Sequence, residues 1–141
     1  MTTIINADSV TGGAVVTGDA SGELELQAAG TALLSLAGDA VTFNKGIAET
    51  VYTLTGTDID PANGTIQTKI LSAPVTFTES ISAGESVVFQ VENGVTHTIT
   101  WPTVTWVTSA GNAAPTPTEK DTFVFWKIST TLYGAYVGSY V

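Results

Sequence analysis

The sequence predicts an all-β protein, and three observations carry that prediction. Apolar residues alternate with polar ones over short stretches, as in Leu24/Leu26 and Val87/Phe89/Val91, which is the period of a pleated strand. Glycine, proline and asparagine punctuate these stretches as turn formers. No window sustains the apolar period of an amphipathic helix, and only "IAETVY" suits a brief helical turn.

Residues 1–48 read as a glycine-paced β arm. Glycines fall at 22, 30, 38 and 46, and between them sit the alternating pairs Leu24/Leu26, Leu34/Leu36 and Val41/Phe43. The apolar phase slips between these units. A unit this short does not bury its own apolar face, so it needs the other domain, copies of itself or a larger surface. An ordinary β-meander with glycine turns fits the same residues.

Residues 49–141 read as an antiparallel β-sandwich or jelly-roll-like module. "TDIDPANG" marks a turn, and strands are expected at Thr65–Leu71, Val75–Thr78, Ser86–Val91, Val95–Trp101, Val104–Val107, Thr122–Ile128 and Leu132–Val137. Asn93-Gly94 predicts a two-residue hairpin joining Phe89–Glu92 to Val95–Thr98. In that register Val95, His97, Ile99 and Trp101 share a face. Pro102 carries no amide donor and marks an edge, bulge or break before Trp106. Thr122–Ile128 is apolar on both faces, so it is either central or has one face at a subunit interface.

Composition excludes several functions. The chain has 141 residues, 43% hydrophobic and 12% charged, which is too apolar for a disordered tail. A surface with so few charges is sticky in a lone monomer and points to burial between subunits. Thirteen acids face four lysines and no arginine, for a net charge of −9. Nucleic acid and an acidic membrane surface are therefore poor partners. No cysteine is present, so disulfides and thiolate metal sites are out. "MTTIINADSV" lacks the basic and apolar regions of a signal peptide, and "FVFWKI" is too short to cross a bilayer.

Chemistry is hard to find. His97, the only histidine, has no adjacent nucleophile or second histidine, so it reads as a hydrogen-bonded packing residue, with an oligomer axis as the other option. Asp58, Asp60 and Asn63 lack calcium-loop spacing and suit a turn. Trp101, Trp106 and Trp126, with Tyr133, Tyr136 and Tyr140, are placed to pack or to stack on sugars, and Trp106 after the proline break is the candidate glycan contact. Glu79, Glu85, Glu92 and Glu119 sit at turn-like positions and form no recognisable hydrolase pair. No catalytic residue, cofactor or metal is expected. Leu24, Leu26, Leu34 and Leu36, and Phe77, Phe89, Trp101, Trp106, Phe123, Phe125 and Trp126, are the expected interface or core residues.

The second region resembles a module of tailed-bacteriophage structural proteins. The resemblance is carried by "NGTIQTKILSAPVTFTESISAGES", "THTITWPTVTWV", "APTPTEKDTFVFWKI" and "TLYGAYVG", in that order. "TGDASGELELQAAGTALLSLAGDAVTFNKG" is similar to glycine-paced segments that precede such modules in tail-fibre-like proteins. The resemblance implies a non-enzymatic virion component made in the host cytoplasm and exposed on the particle as a homotrimer. Its partners would be copies of itself, the major capsid protein or another virion protein, and a host surface glycan. The shortness of the chain favours a capsid decoration (cement) protein. A short tail, neck or head fibre component and a host-glycan-binding module are the alternatives.

Overall fold

A computed structural model describes residues 23–37, 39–108 and 111–140. The chain divides into two units at the Ala48/Glu49 junction. Both are built from strands, and the only helical turn among the described residues is a short 3-10 segment.

The described part of the first unit is an antiparallel sheet of β1 (Glu23–Ala28), β2 (Thr31–Ala37) and β3 (Ala40–Phe43), in that order. Ala29 and Gly30 both take positive φ, 49° and 73°, the twist-matched geometry of a two-residue hairpin turn. A regular ladder from that turn would set Leu26 opposite Leu33. A bulge at Leu26/Gln27 moves the register by one, so Leu24 faces Leu36 and Leu26 faces Leu34. Across the other edge Leu34 faces Phe43 and Leu36 faces Val41. The phase slip seen in the sequence is thus what puts six apolar side chains on one face.

The second unit contains β4 (Tyr52–Thr53), β5 (Asp58–Ile59), β6 (Ile66–Ile70), β7 (Val75–Thr76), β8 (Thr78–Glu79), β9 (Ser86–Glu92), β10 (Ile99–Thr100), β11 (Thr105–Trp106), β12 (Lys120–Ile128) and β13 (Thr131–Ser139). Six of these form one sheet in the order β11-β13-β12-β9-β6-β4. The pairs β10-β7 and β5-β8 form two small parallel sheets. Val75, Phe77 and Ile59 from this small layer pack with Val87, Phe89, Val91, Phe123 and Phe125 of the large sheet in one core.

Three expectations are corrected here. The large sheet is mixed rather than antiparallel: β4-β6, β6-β9 and β11-β13 run parallel, and only β9-β12-β13 alternates. The connection from β6 to β9 detours through β7 and β8 in the opposite layer, and such a crossover returns the chain in the same direction. The Asn93-Gly94 hairpin does not form, because β9 already has β12 on one edge and β6 on the other. Residues 93–97 turn away instead, and Val95 is exposed while Ile99 and Trp101 pack on the core. The stretch "IAETVY" makes no helical turn; it is irregular up to β4.

Alternation explains the burial of the large sheet. Val87, Phe89 and Val91 point inward from β9, and Phe123 and Phe125 do so from β12. The register pairs Phe123 with Phe89 and Phe125 with Val87. Trp101 lies over this floor, 4.8 Å from Phe123 and 5.3 Å from Phe77 between ring centroids. Pro102 follows, and the chain leaves the small layer to pair β11 with β13 in the large sheet. That change of layer aims Trp106 back at the core.

Candidate functional site

Among the described residues two polar side chains are fully buried, and both are structural. Gln67 occupies an inward position of β6, beside Phe89 in register. Its Nε2 donates to the carbonyls of Asp60 (2.7 Å) and Gly64 (2.8 Å), which flank the 3-10 turn Pro61–Asn63. Its Oε1 has no partner among the described residues. Asp121 opens the inward face of β12 and accepts three hydrogen bonds. They come from the Thr118 amide (2.6 Å), the Thr118 hydroxyl (2.6 Å) and the Tyr136 hydroxyl (3.0 Å). Burial first, and then the hydrogen bond to the Asp121 carboxylate, raises the Tyr136 phenol above its ordinary 10.0. The Tyr140 phenol is raised as well, by burial and then by the Glu92 carboxylate.

No catalytic set assembles among the described residues. The only ion pair there joins Lys127 to Glu79 at 2.8 Å, so His97 has no carboxylate to orient it. His97 lies partly exposed in the 93–97 turn, in an open groove of about 370 Å³ that it shares with Thr116 and Pro117. A second groove of about 510 Å³ runs past Glu79, Pro102, Thr105 and Thr131. Its one carboxylate is already engaged, since Glu79 accepts from Lys127 through Oε1 and from the Ile81 amide (2.8 Å) through Oε2. Asp58 accepts from Thr78 and Ser80, and Asp60 caps the 3-10 turn by accepting from the Ala62 amide at 2.9 Å. No group of three metal-ligating side chains is present among the described residues.

The residues picked from sequence separate into three places. Phe77, Phe89, Phe123 and Phe125 are in the core, and Trp101 packs partly buried against them. Trp106, the candidate glycan contact, is only 7% exposed and packs on Trp101, Phe123 and Phe125. Its ring faces no solvent groove on which a sugar would lie, because β11 turns it inward. Trp126 stands on the outer face of the large sheet, stacked on Tyr133 at 5.7 Å. Leu24, Leu26, Leu34 and Leu36 share one face of the three-stranded sheet with Val41 and Phe43.

Sequence reasoning missed Gln67 and Asp121 as buried groups. Charged and amide side chains ordinarily mark surface. The usable signal was position: Gln67 lies between outward Ile66 and Thr68, and Asp121 lies two before Phe123, each in the inward phase of its strand. No family model, curated protein or solved structure matches the chain.

Proposed function

We propose that this chain is a non-enzymatic structural protein of a bacteriophage particle, exposed as a homotrimer that decorates the capsid. The phage assignment rests on the resemblance of "THTITWPTVTWV" and the stretches around it. The assembly role rests on one observation. On the three-stranded sheet, Leu24, Leu26, Leu36, Val41 and Phe43 share a face and are each between 36% and 59% exposed.

Three strands of about six residues present roughly 300 Å² of flat face. Covering it gains about 7 kcal/mol at ~25 cal/mol/Å². Association costs at least about 4 kcal/mol in lost freedom, so this face alone supports weak binding and gains from multivalency. A trimer that presents three such faces to a capsid lattice supplies that multivalency. Glu25 lies opposite Ser35 on the other side of the sheet, away from the apolar face.

Quantitative mass spectrometry of purified particles tests the reading. Hundreds of copies per particle support decoration. A few dozen or fewer support a short tail, neck or head fibre instead, and absence from the particle overturns both. Light scattering tests the oligomer, and a stable monomer at micromolar concentration overturns the trimer.

A further inference from the structure

The outer face of the six-stranded sheet has the anatomy of a subunit interface. Register places two rows side by side across it. Ile66, Val88, Val124 and Ala135 form one; Ser86, Trp126, Tyr133 and Thr105 form the next. Neither row contains an ionisable carboxylate or a lysine. Moving along the strands, a polar row of Thr68, Gln90, Thr122 and Gly138 follows, and then a row with Glu92 and Lys120. An apolar centre bordered by polar and charged residues is how protein interfaces are built.

We infer that this face is where copies of the chain meet, an inference that rests on the homotrimer reading. Charge selects the occupant. A chain of net charge −9 repels its own copies unless they meet through a face free of acids. Both rows satisfy that condition. An anionic partner such as a lipid surface or a nucleic acid needs free cations around the patch, and the lysines of this unit are engaged. Lys69 donates to the carbonyls of Leu54 and Gly56, Lys127 pairs with Glu79, and Lys120 lies over the Tyr140 ring.

Area points the same way. The four central strands span about 19 Å, and seven residues along them span about 23 Å, or roughly 450 Å² of flat face. A stable pairwise interface needs about 800 Å² per partner. The sheet face therefore supplies the centre of such an interface, and in a closed ring each copy uses two interfaces.

The absence of cysteine makes the test clean. Val88 is 38% exposed at the centre of the patch, so a lysine there is tolerated in a monomer, while assembly would bury its charge. Val88→Lys is expected to weaken association at least about 30-fold, the equivalent of the ~2 kcal/mol lower bound for an unpaired interfacial charge. In a second arm, Val88→Cys is expected to react with a maleimide more slowly in the assembled protein than after dilution to monomer. Ala83→Cys, on the exposed turn before β9, should react equally in both. A parent chain that is monomeric overturns the trimer reading and this inference together. A trimeric parent whose Val88→Cys labels as fast as Ala83→Cys, or whose Val88→Lys variant stays fully assembled, overturns the inference alone. If Val88→Lys does not fold, the labelling arm decides.

Discussion

Among the described glycines, Gly134 is the one where an added β-carbon would crowd core side chains most, and replacing it with alanine tests the packing directly. It sits in β13 opposite Phe125 and beside Trp106. A β-carbon there would lie 2.7 Å from Val104 Cγ1, 3.0 Å from Trp106 Cζ3 and 3.1 Å from Phe125 Cδ1. Its φ is outside the left-handed region, so the backbone itself accepts alanine. On a strand, Gly→Ala ordinarily stabilises by about 0.5–1 kcal/mol. Overpacking a filled core costs about 1–3 kcal/mol, and here a valine branch and two rings must move together. The net expectation for Gly134→Ala is a loss of about 0.5–2 kcal/mol.

Urea unfolding followed by tryptophan fluorescence measures it. Trp101, Trp106 and Trp126 all lie in the second unit, so the signal reports that unit alone. The midpoint should fall with the slope unchanged. Val104→Ala removes the nearest atom, so Gly134→Ala should cost less in that background, with a coupling of at least about 0.5 kcal/mol. A Gly134→Ala protein as stable as its parent, or strict additivity of the two changes, refutes the idea that this glycine is a seat for Trp106.

Asp121→Asn should destabilise the second unit by about 1–2 kcal/mol in the same unfolding assay. The Asn oxygen can still accept from the Thr118 amide, but its Nδ2 replaces the carboxylate oxygen that accepts from the Thr118 and Tyr136 hydroxyls, and charge-assisted bonds become neutral ones. Tyr136→Phe should cost about 1 kcal/mol, since it removes one hydrogen bond and leaves the carboxylate two. Stability should also depend on alkaline pH. The folded chain holds the Tyr136 and Tyr140 protons more tightly than the unfolded chain does, so their contribution is whole below pH 10.0 and is lost as pH rises through the folded values. Unfolding midpoints measured from pH 8 upward should fall only above that point, and Tyr136→Phe should flatten the fall. Ser129→Gly should stabilise by about 0.5–1 kcal/mol: Ser129 holds φ at 54° in the β12–β13 turn, a strain of ~1–2 kcal/mol, and glycine returns part of it as chain entropy.

The strands were legible because period-two alternation is a local property. Val87/Phe89/Val91 announced one face of β9, and Leu24/Leu26, Leu34/Leu36 and Val41/Phe43 each announced a strand. Thr122–Ile128, apolar in both phases, left open which of its faces is inward, and the register with β9 decides for Phe123 and Phe125. Partner choice was not legible, because it depends on which edges are already taken. Nothing within Thr65–Leu71 says that β6 joins β9 in parallel; that follows from the detour through the second layer. The split of Val75–Thr78 into β7 and β8 was hidden for the same reason, as those residues pair with β10 and β5 in different sheets. At the candidate site, the proline break before Trp106 was visible, but its direction was not. Layer switching decided that the ring points inward, and it left Trp126 as the tryptophan on the uncovered face.

The Asn93-Gly94 pair shows how a correct local signal leads to a wrong contact. The dipeptide does make a turn, and Asn93 takes φ at 63°. Yet the Asn93 amide donates to Glu119 (2.7 Å) and its Nδ2 to Leu71 (2.9 Å), so the turn ties three segments together instead of closing a hairpin. Gly94 has no positive φ; it is needed for space. A β-carbon there would lie 2.9 Å from the Thr118 carbonyl and 3.0 Å from Pro117 Cβ, with Asp121 Oδ2 at 3.4 Å. In a true hairpin turn, Gly94→Ala would suffer mainly from backbone strain, and Gly94→Asn would be tolerated. Here both side chains should push the 117–118 segment off the Asp121 carboxylate. Gly94→Ala is therefore expected to cost about 1–3 kcal/mol, with Gly94→Asn at least as costly. In an Asp121→Asn background the Gly94→Ala cost should shrink, because the contact it disturbs is already weakened. Equal costs in the two backgrounds, or an Asn variant milder than the Ala one, would return the turn to its hairpin explanation.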